Sequence, residues 1–401
     1  MQIFSANTNG TWANLEAQVI EGPNQFELEA KRALTEIFHC KNLIILAGLG
    51  TSLCVTNEQG KRLAPTMPVL WEKVKEKYEV DDLMGDAWDN LLSLVKYDVA
   101  DKNLEKLLSQ CRLAESFLTG DDLHTLEEFG KLAEGVVYSE VDFLSENHSL
   151  PSHSEFLRRV ARRSNRKART KIFTTNYDRC FEEAGRQGRY VVVDGFSHTM
   201  PPTFDAVYFT YDTVRRGRDD DMQDFIPNVF HLYKLHGSID WERKAGEIQK
   251  LSKPANPLLI YPRSSKYEMS FEQPYLEMMS ALQTALREPD TGLLVVGFGF
   301  NENHLSEPIM AAIRSNLALK AGVVSPGLAP WADFEDDLHE GESGTNTHIR
   351  KIKDFIKYGD ARLTLLNCRF DELVPLVPDI ASDSDLERHI QRMRQMDEAG
   401  A

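Results

Sequence analysis

Four short motifs of glycine and polar residues each follow an apolar run of the length of a buried strand. The first motif begins at Gly48, directly after the run 42–47, and reads Gly-Leu-Gly-Thr-Ser. Gly48 and Gly50 would let the backbone approach a pyrophosphate, and the amides and hydroxyls of Thr51 and Ser52 could donate to it. The alternative is a plain strand-to-loop turn, because the third glycine of Gly-x-Gly-x-x-Gly is missing and no helix clearly follows.

The second motif, Phe-Thr-Thr-Asn-Tyr-Asp, ends the next predicted strand, 171–175. Ligands of open α/β sheets bind outside the carboxyl ends of the strands, so Thr175, Asn176 and Asp178 are predicted to lie beside a ligand. An Asn and an Asp two residues apart can address ribose hydroxyls and a carboxamide together. The alternative is the capped start of a helix over 178–185, with Asn176 or Asp178 as its N-cap.

The third motif is a histidine at the end of a further predicted strand, 230–235. His236 precedes Gly237 and faces a crevice at the strand end, where an imidazole could act as a general base near neutral pH. His231 lies five residues earlier and points to the opposite face of the strand, so the two histidines are not a metal pair. The alternative is a structural histidine held by hydrogen bonds.

The fourth motif, Gly-Phe-Gly-Phe-Asn, follows the apolar run 292–296. Gly297, Gly299 and Asn301 repeat the arrangement of the first motif, with a strand, a glycine-rich turn and then a helix. Such a repetition is expected of the other half of a dinucleotide site.

The elements that must position these motifs alternate between strands and helices. Short apolar runs predict strands, and apolar residues at helical spacing predict the helices between them. The predicted strands are 42–47, 171–175, 190–193, 230–235, 258–261, 292–296 and 362–366, and helices are predicted at 25–40, 271–287 and 303–316. This pattern predicts an α/β fold with a doubly wound, Rossmann-like parallel sheet.

Four segments fall outside that alternation. Residues 1–24 are polar and predict an N-terminal arm, whereas 70–160 are mostly helical and predict a helical subdomain inserted into the main domain, 25–380. Residues 323–347 are rich in glycine, proline and acidic residues and predict a surface loop. Residues 381–401 predict a helical C-terminal tail.

Composition and charge exclude several classes of protein. The 401 residues are 42% hydrophobic and carry a net charge of −16, which disfavours nucleic-acid binding. A basic cluster over 158–169 is interpreted as the end of one solvated helix, with a phosphate-binding or partner surface as the alternative. No apolar run reaches the length of a membrane span and no signal peptide is recognisable, so we expect no membrane insertion. Five scattered cysteines predict free thiols in a reducing cytoplasm.

In this order, the four motifs resemble those of the sirtuin superfamily. Residues 48–52 look like the family's Gly-Ala-Gly-x-Ser loop, 175–178 like its Gln-Asn-Ile-Asp, 236–237 like its catalytic His-Gly, and 297–299 like its later glycine loop. The pattern is closer still to the bacterial sirtuin-like proteins of antiphage defence, which share Thr-Thr-Asn-Tyr-Asp and Leu-His-Gly-Ser and hydrolyse NAD. The resemblance extends over about residues 40–375.

The resemblance implies that NAD is the substrate and is hydrolysed to nicotinamide and ADP-ribose, making the chain an NAD glycohydrolase. By resemblance, Asn176 would position the water and the ribose, His236 would act as a base on a ribose hydroxyl, and Asp178 would hold the nicotinamide end. The other residues implied in NAD binding are Gly48, Gly50, Thr51, Ser52, Thr175, Gly297, Gly299 and Asn301.

Two departures separate the chain from protein-deacylating sirtuins. No cysteine lies between Cys180 and Cys368, where those enzymes carry a four-cysteine zinc module, so we expect no zinc and assign no metal ligand. The family's Pro-Asp-Phe-Arg motif is replaced by Met-Pro-Val-Leu-Trp at 67–71. The chain therefore lacks the motif that usually marks the binding site for an acyl-lysine peptide.

Two other functions stay open. An NAD-dependent protein deacylase would consume NAD only with an acyl-lysine peptide, and a non-catalytic sensor of NAD or ADP-ribose would tolerate loss of His236. Sirtuin-like proteins of about this length occur beside a hexameric HerA-type ATPase and form large homo-oligomers, so the resemblance implies both kinds of partner. Because a constantly active NADase would be toxic, we expect assembly to control the activity.

Overall fold

The protein is built from short strands and helices that alternate along most of the chain. The computed structural model describes residues 1–15, 24–80, 86–146, 148–161, 163, 167–215, 224–259, 273–329 and 346–379. The strands are β1 (Gln2–Ser5), β2 (Trp12–Asn14), β3 (Asn42–Ala47), β4 (Lys171–Thr174), β5 (Val191–Val193), β6 (Val214–Arg215), β7 (Asp224–Phe225), β8 (Val229–Lys234), β9 (Gly237–Ser238), β10 (Trp241–Lys244), β11 (Glu247–Lys250), β12 (Leu258–Leu259), β13 (Thr291–Val296), β14 (Lys320–Val324) and β15 (Leu363–Asn367). The helices are α1 (Gln25–His39), α2 (Met67–Glu79), α3 (Ala87–Leu94), α4 (Leu104–Glu115), α5 (Asp121–Val141), α6 (Pro151–Ala161), α7 (Cys180–Gln187), α8 (Tyr275–Arg287), α9 (Asn303–Ser315), α10 (Thr347–Lys357) and α11 (Phe370–Leu373).

A nine-stranded sheet in the order β2-β1-β15-β14-β13-β3-β4-β8-β5 forms the centre of the protein. The seven strands from β15 to β5 pair in parallel, and only the edge hairpin β1-β2 is antiparallel. The predicted Rossmann-like α/β class is therefore confirmed.

Helices cover both faces of this sheet because its strands are apolar on both faces. On β3, Ile44 and Leu46 point to the layer of α8, α9 and α10, whereas Leu43 and Ile45 point to the layer of α1, α6, α7 and α11. A strand buried on both faces carries a continuous apolar run, which is the sequence signal that identified β3.

The order of the strands reverses between β3 and β13. After β3 the chain continues to β4, β5 and β8 on one side, and it then returns to β13 on the other side of β3. Such a reversal leaves a crevice outside the carboxyl ends of the two strands, where ligands of doubly wound sheets bind. The first and fourth motifs follow these two strands directly.

The helices α2 to α5 form a block with a hydrophobic core of its own. Trp71, Trp88 and Phe129 meet there at ring-centroid distances of 5.1 to 6.0 Å. Tyr177 and Ile239, which follow β4 and β8, belong to the same core. The helical block therefore packs against the loops at the carboxyl edge of the sheet, whereas α6 packs on the sheet itself.

Several segments differ from their sequence-based predictions. Within the segment predicted as an N-terminal arm, β1 and β2 extend the sheet, because Ile3 and Phe4 pack into its two cores. The strand β14 was not predicted, since its Lys-Ala-Gly-Val-Val run is short and only half apolar. Of the predicted strand 258–261, residues 258 and 259 form β12, which pairs with β9 outside the main sheet, and residues 260–261 lie outside the described residues.

Other predictions fall wholly or largely outside the described residues. These are the tail 381–401 and the part of the loop 323–347 that spans 330–345. Within the described ranges, no helix is both long and apolar enough to cross a membrane.

The described members of the basic cluster join chain segments to one another. Arg158 pairs with Glu155 and Asp379, and Arg163 is buried and donates to the carbonyls of Phe38 and Cys40. The interpretation as the end of one solvated helix is therefore wrong for Arg163, because α6 ends at Ala161 and Arg163 is buried beyond it. These contacts favour a structural role over a phosphate-binding surface.

Gly292 sits in β13 where α1 crosses the sheet, and a Cβ there would lie 2.0 Å from the carbonyl oxygen of Ile37. We expect Gly292→Ala to push α1 off the sheet and to lower the free energy of unfolding by about 1–3 kcal/mol, as overpacking does. Chemical denaturation measures the change. As a control, Gly130→Ala adds a methyl group in α5 with no neighbour within 4 Å, and it should gain about 0.5–1 kcal/mol from helix propensity. Equal stability of the two variants would contradict the close packing of α1 on β13.

Candidate functional site

The four motifs lie side by side because the strands before them end at one level. The residues in register across β13, β3, β4 and β8 are Val296, Ala47, Thr174 and Lys234. Gly297, Gly48 and Thr175 are each the first residue beyond a strand end. Asn176 and His236 are both the second, on adjacent strands.

The two glycine loops touch each other through their backbones. The Gly50 amide donates to the Gly297 carbonyl at 3.1 Å, and a Cβ on Gly50 would stand 2.5 Å from the Gly297 Cα. Gly297 also has a φ of +64°, a region that other residues rarely adopt. Loop-to-loop packing thus requires these glycines, whatever ligand lies beside them. Their contact with a pyrophosphate stays a prediction.

Thr51 and Ser52 form a tight turn that uses their own backbone donors. The Thr51 amide donates to Gly48 O at 3.0 Å, and the Ser52 amide donates to Leu49 O at 2.9 Å. The Thr51 hydroxyl also donates to Gly48 O, at 2.9 Å. Both side chains are buried, so the groups that the sequence analysis offered to a pyrophosphate stabilise the turn.

Asn176 joins the second motif to this turn. Its Nδ2 donates to Gly48 O at 3.1 Å, to Thr51 Oγ1 at 3.2 Å and to Ser52 Oγ at 2.9 Å. Because the amide nitrogen faces the glycine loop, the carbonyl end of the side chain is the end available to a ligand.

Asp178 completes the same buried network. Its Oδ2 accepts a hydrogen bond from Ser52 Oγ at 2.7 Å, and its Oδ1 accepts one from the Cys180 amide at 3.0 Å. The second bond reaches the first residue of α7, but the N-cap of that helix is Arg179, so the predicted N-cap at Asn176 or Asp178 is wrong by at least one residue. Both carboxylate oxygens are thus engaged within the protein, and contact of Asp178 with nicotinamide stays a prediction.

A buried lysine holds the backbone of the second motif. Lys234 ends β8 and is 1% exposed. Its Nζ donates to the carbonyls of Tyr177 and Asp178 and lies 3.0 Å from a carboxylate oxygen of Glu182. This role was not predicted from the sequence, although a lysine within an apolar strand is a signal because buried lysines need partners.

His236 stands at the centre of a second cluster. Its ring is 1% exposed, and its Nε2 lies 3.3 Å from Nε2 of His304 and 3.1 Å from Oε2 of Glu302. Glu302 is the extended residue directly before α9, and His304 lies in the first turn of that helix. The segment after the fourth motif therefore brings a carboxylate and an imidazole to the third motif. Neither was predicted as a site residue, although Glu302 and His304 lie one and three residues after Asn301.

The charges of this cluster act on one another. Burial alone would lower the pKa of His236, but the carboxylates of Glu302 and Glu105 outweigh burial and raise it. Burial and the neighbouring charge of His236 lower the pKa of His304 to about 4. Burial favours neutral Glu302, but the charge of His236 lowers the pKa of Glu302 overall. At neutral pH the cluster combines an anionic Glu302 with a neutral His304.

The helical block contributes a further carboxylate beside His236. Glu105 lies at the start of α4 and accepts a hydrogen bond from the Tyr177 hydroxyl at 3.0 Å. The Tyr177 ring centroid is 6.3 Å from that of His236. Tyr177 therefore links the glycine-loop network, through its neighbours Asn176 and Asp178, to the histidine cluster.

The remaining candidates line the open side of this edge. Thr175 and Gly299 are half-buried, and Asn301 is exposed. The Oδ1 of Asn301 accepts a hydrogen bond from Nδ2 of Asn346 at 3.1 Å. The structure thus pairs Asn301 with the start of α10, and its contact with NAD stays a prediction.

Potential metal ligands come together at one place among the described residues. His236, Glu302 and His304 each offer an atom within 4.8 Å of the other two. The five cysteines are free and scattered, so no four-cysteine module is evident.

A part of the chain that contains most of this edge of the sheet matches a known protein family. Residues 170–335 match the SIR2-like domain family, and that stretch contains the second, third and fourth motifs. The match supports a Sir2-type family, whose enzymes depend on NAD. No curated protein matches the chain.

The Ser52 hydroxyl accepts a hydrogen bond from Asn176 and donates one to Asp178. We expect Ser52→Ala to leave Oδ2 of Asp178 without the Ser52 donor and to remove one of three acceptors from Nδ2 of Asn176, which costs about 1–3 kcal/mol of unfolding free energy. Chemical denaturation measures this loss. The matched control is Ser139→Ala in α5, because the exposed Ser139 hydroxyl contacts only a carbonyl of its own helix; it should change stability by less than about 0.5 kcal/mol. A Ser52→Ala protein as stable as the control would show that the network is not a structural unit.

Proposed function

We propose that the protein hydrolyses NAD at the bond between nicotinamide and ribose, releasing nicotinamide and ADP-ribose. The observation that carries this proposal is the position of Asn176 and His236. Both lie two residues beyond the ends of adjacent parallel strands, beside the crevice where the strand order reverses. The match of residues 170–335 to an NAD-dependent family supports the choice of ligand.

In the proposed reaction, the bond between C1′ of the ribose and the nicotinamide nitrogen breaks, and its electron pair leaves with nicotinamide. The ribose then carries oxocarbenium character until a water oxygen bonds to C1′ and loses a proton. In its neutral form, His236 accepts a proton from a ribose hydroxyl through Nε2, which raises electron density at the reacting sugar. After the water has bonded to C1′, His236 returns this proton to the ribose oxygen, and the proton lost by the water passes to solvent. The carboxylate of Glu302, 3.1 Å away, stabilises the imidazolium that forms.

Asn176 serves the same step as a positioning group. Its Nδ2 is fixed by three hydrogen bonds to the first glycine loop, so its Oδ1 has a defined direction. That oxygen accepts a hydrogen bond from the attacking water and holds it over one face of the ribose. A water held in this way has already lost translational and rotational freedom, so its attack costs less entropy than the attack of a free water.

The two glycine loops together form the surface that binds the rest of NAD. Gly50 and Gly297 are in backbone contact and lack side chains, so a pyrophosphate can lie across the point where the loops meet. The Tyr177–Glu105 pair closes the side of the site towards the helical block.

The first test uses His236→Ala and Asn176→Ala in the full chain, incubated with NAD and no peptide. We expect nicotinamide release to fall by at least about 100-fold in His236→Ala, the contribution typical of a general base, and to fall also in Asn176→Ala. Chromatography of the products measures the release, and thermal melting checks the fold. His198→Ala is the control, because the His198 side chain is exposed and belongs to none of the four motifs; it should keep wild-type turnover. Wild-type turnover in a folded His236→Ala protein would exclude this mechanism, and release that requires an acyl-lysine peptide would indicate a deacylase.

We further propose that the protein depletes NAD as an effector of antiphage defence, under the control of assembly and of a HerA-type ATPase. The support is the resemblance of the motifs to sirtuin-like defence proteins. The purified chain should then be a homo-oligomer with weak or conditional activity that rises with the partner. Light scattering gives the mass, and nicotinamide release at matched concentrations gives the activity. A monomer whose specific activity is full and independent of concentration would contradict control by assembly.

A further inference from the structure

We propose that His236, Glu302 and His304 form an exchangeable site for one transition-metal dication of the zinc type, and that the bound ion inhibits the reaction proposed above. The binding part stands on the geometry of the three side chains alone. The inhibition rests on the proposed function.

The three ligand atoms already have the spacing that a tetrahedral ion requires. Two ligands that each lie ~2.1 Å from a metal at the tetrahedral angle are ~3.4 Å from one another. The observed separations are 3.3 Å between Nε2 of His236 and Nε2 of His304, and 3.1 and 3.4 Å from these two nitrogens to Oε2 of Glu302. An ion can therefore bind with little movement of the side chains.

The carboxylate oxygen in this trio is buried and has no well-aligned donor. Oε2 of Glu302 lies 3.1 Å from Nε2 of His236 and 3.4 Å from Nε2 of His304, and neither contact has the angles of a good hydrogen bond. A buried carboxylate oxygen without a well-aligned donor is costly. A cation placed among the three atoms would remove that cost by binding Oε2 directly.

The chemistry of the ligands selects the class of ion. Two imidazole nitrogens and one carboxylate oxygen favour zinc, nickel or cobalt over magnesium and calcium, which prefer sets made only of oxygen. Three protein ligands leave a fourth position for water, as in open zinc sites. The side chains of Glu302 and His304 are 27% and 25% exposed, so an ion can enter from solvent and leave again.

The position of the trio explains why the ion would inhibit. A metal bound to Nε2 of His236 uses the lone pair with which His236 would accept the ribose proton. The two events exclude each other, so the occupied site lacks its base. The ion would act as a reversible inhibitor, unlike the structural zinc of a four-cysteine module.

Metal binding can be measured without any assay of activity. The full chain is stripped with a chelator, dialysed and titrated with Zn²⁺ by calorimetry, and then with Co²⁺ by visible absorption. We expect one ion per chain and an absorption band of four-coordinate Co²⁺. Glu302→Gln and His304→Asn should each weaken Zn²⁺ binding by at least about tenfold, whereas His198→Asn, at an exposed histidine, should not. The proposal would be overturned if the wild type bound no Zn²⁺, or if Glu302→Gln and His304→Asn bound Zn²⁺ as tightly as the wild type.

A second measurement separates the site from the reaction. If the wild type cleaves NAD, Zn²⁺ should stop nicotinamide release at the concentrations that fill the site, and a chelator should restore it. If the wild type binds one ion through these residues but never cleaves NAD, the metal site stands and the proposed function fails. If NAD cleavage continues at full rate with the site filled, the inhibitory role is wrong.

Discussion

The direct contact between the backbones of the two glycine loops is the constraint on which the rest of the site depends. Gly50 and Gly297 meet at a distance that no side chain would tolerate, and the Gly50 amide donates to the Gly297 carbonyl. This contact joins the ends of β3 and β13, the two strands between which the strand order reverses. It also fixes the turn at Thr51 and Ser52 against which Asn176 is bound.

From that contact outward, the buried polar groups form two linked units. The first is neutral at its centre and holds Asn176 through Gly48, Thr51 and Ser52. The second is charged and places two carboxylates near His236, one from Glu302 before α9 and one from Glu105 of the helical block. Tyr177 joins the two units, and its backbone is held by Lys234. The inserted helices thus supply part of the site as well as covering the sheet.

The sequence predicted the strands that are continuous apolar runs, such as β3 and β13, and the glycine motifs that follow them. It did not predict β1 or β14, because short or partly apolar strands carry little periodicity. It named Asn176 and His236, yet it missed Lys234, Glu105 and Glu302, since their roles depend on contacts between segments far apart in the chain. A motif shows which polar atoms are present, but not whether other groups of the protein already bind them. The side chains of Thr51, Ser52 and Asp178 illustrate this, because they form hydrogen bonds within the protein.

The most direct test of the account is the structure of the full-length His236→Ala protein in complex with NAD. If NAD is cleaved at this edge of the sheet, the nicotinamide ribose will lie beside Asn176, within hydrogen-bond reach of its Oδ1 through one water, and the pyrophosphate will cross the contact between Gly50 and Gly297. NAD bound at another surface, or with its nicotinamide ribose away from Asn176 and position 236, would contradict the central claim that this sheet edge is where NAD is cleaved.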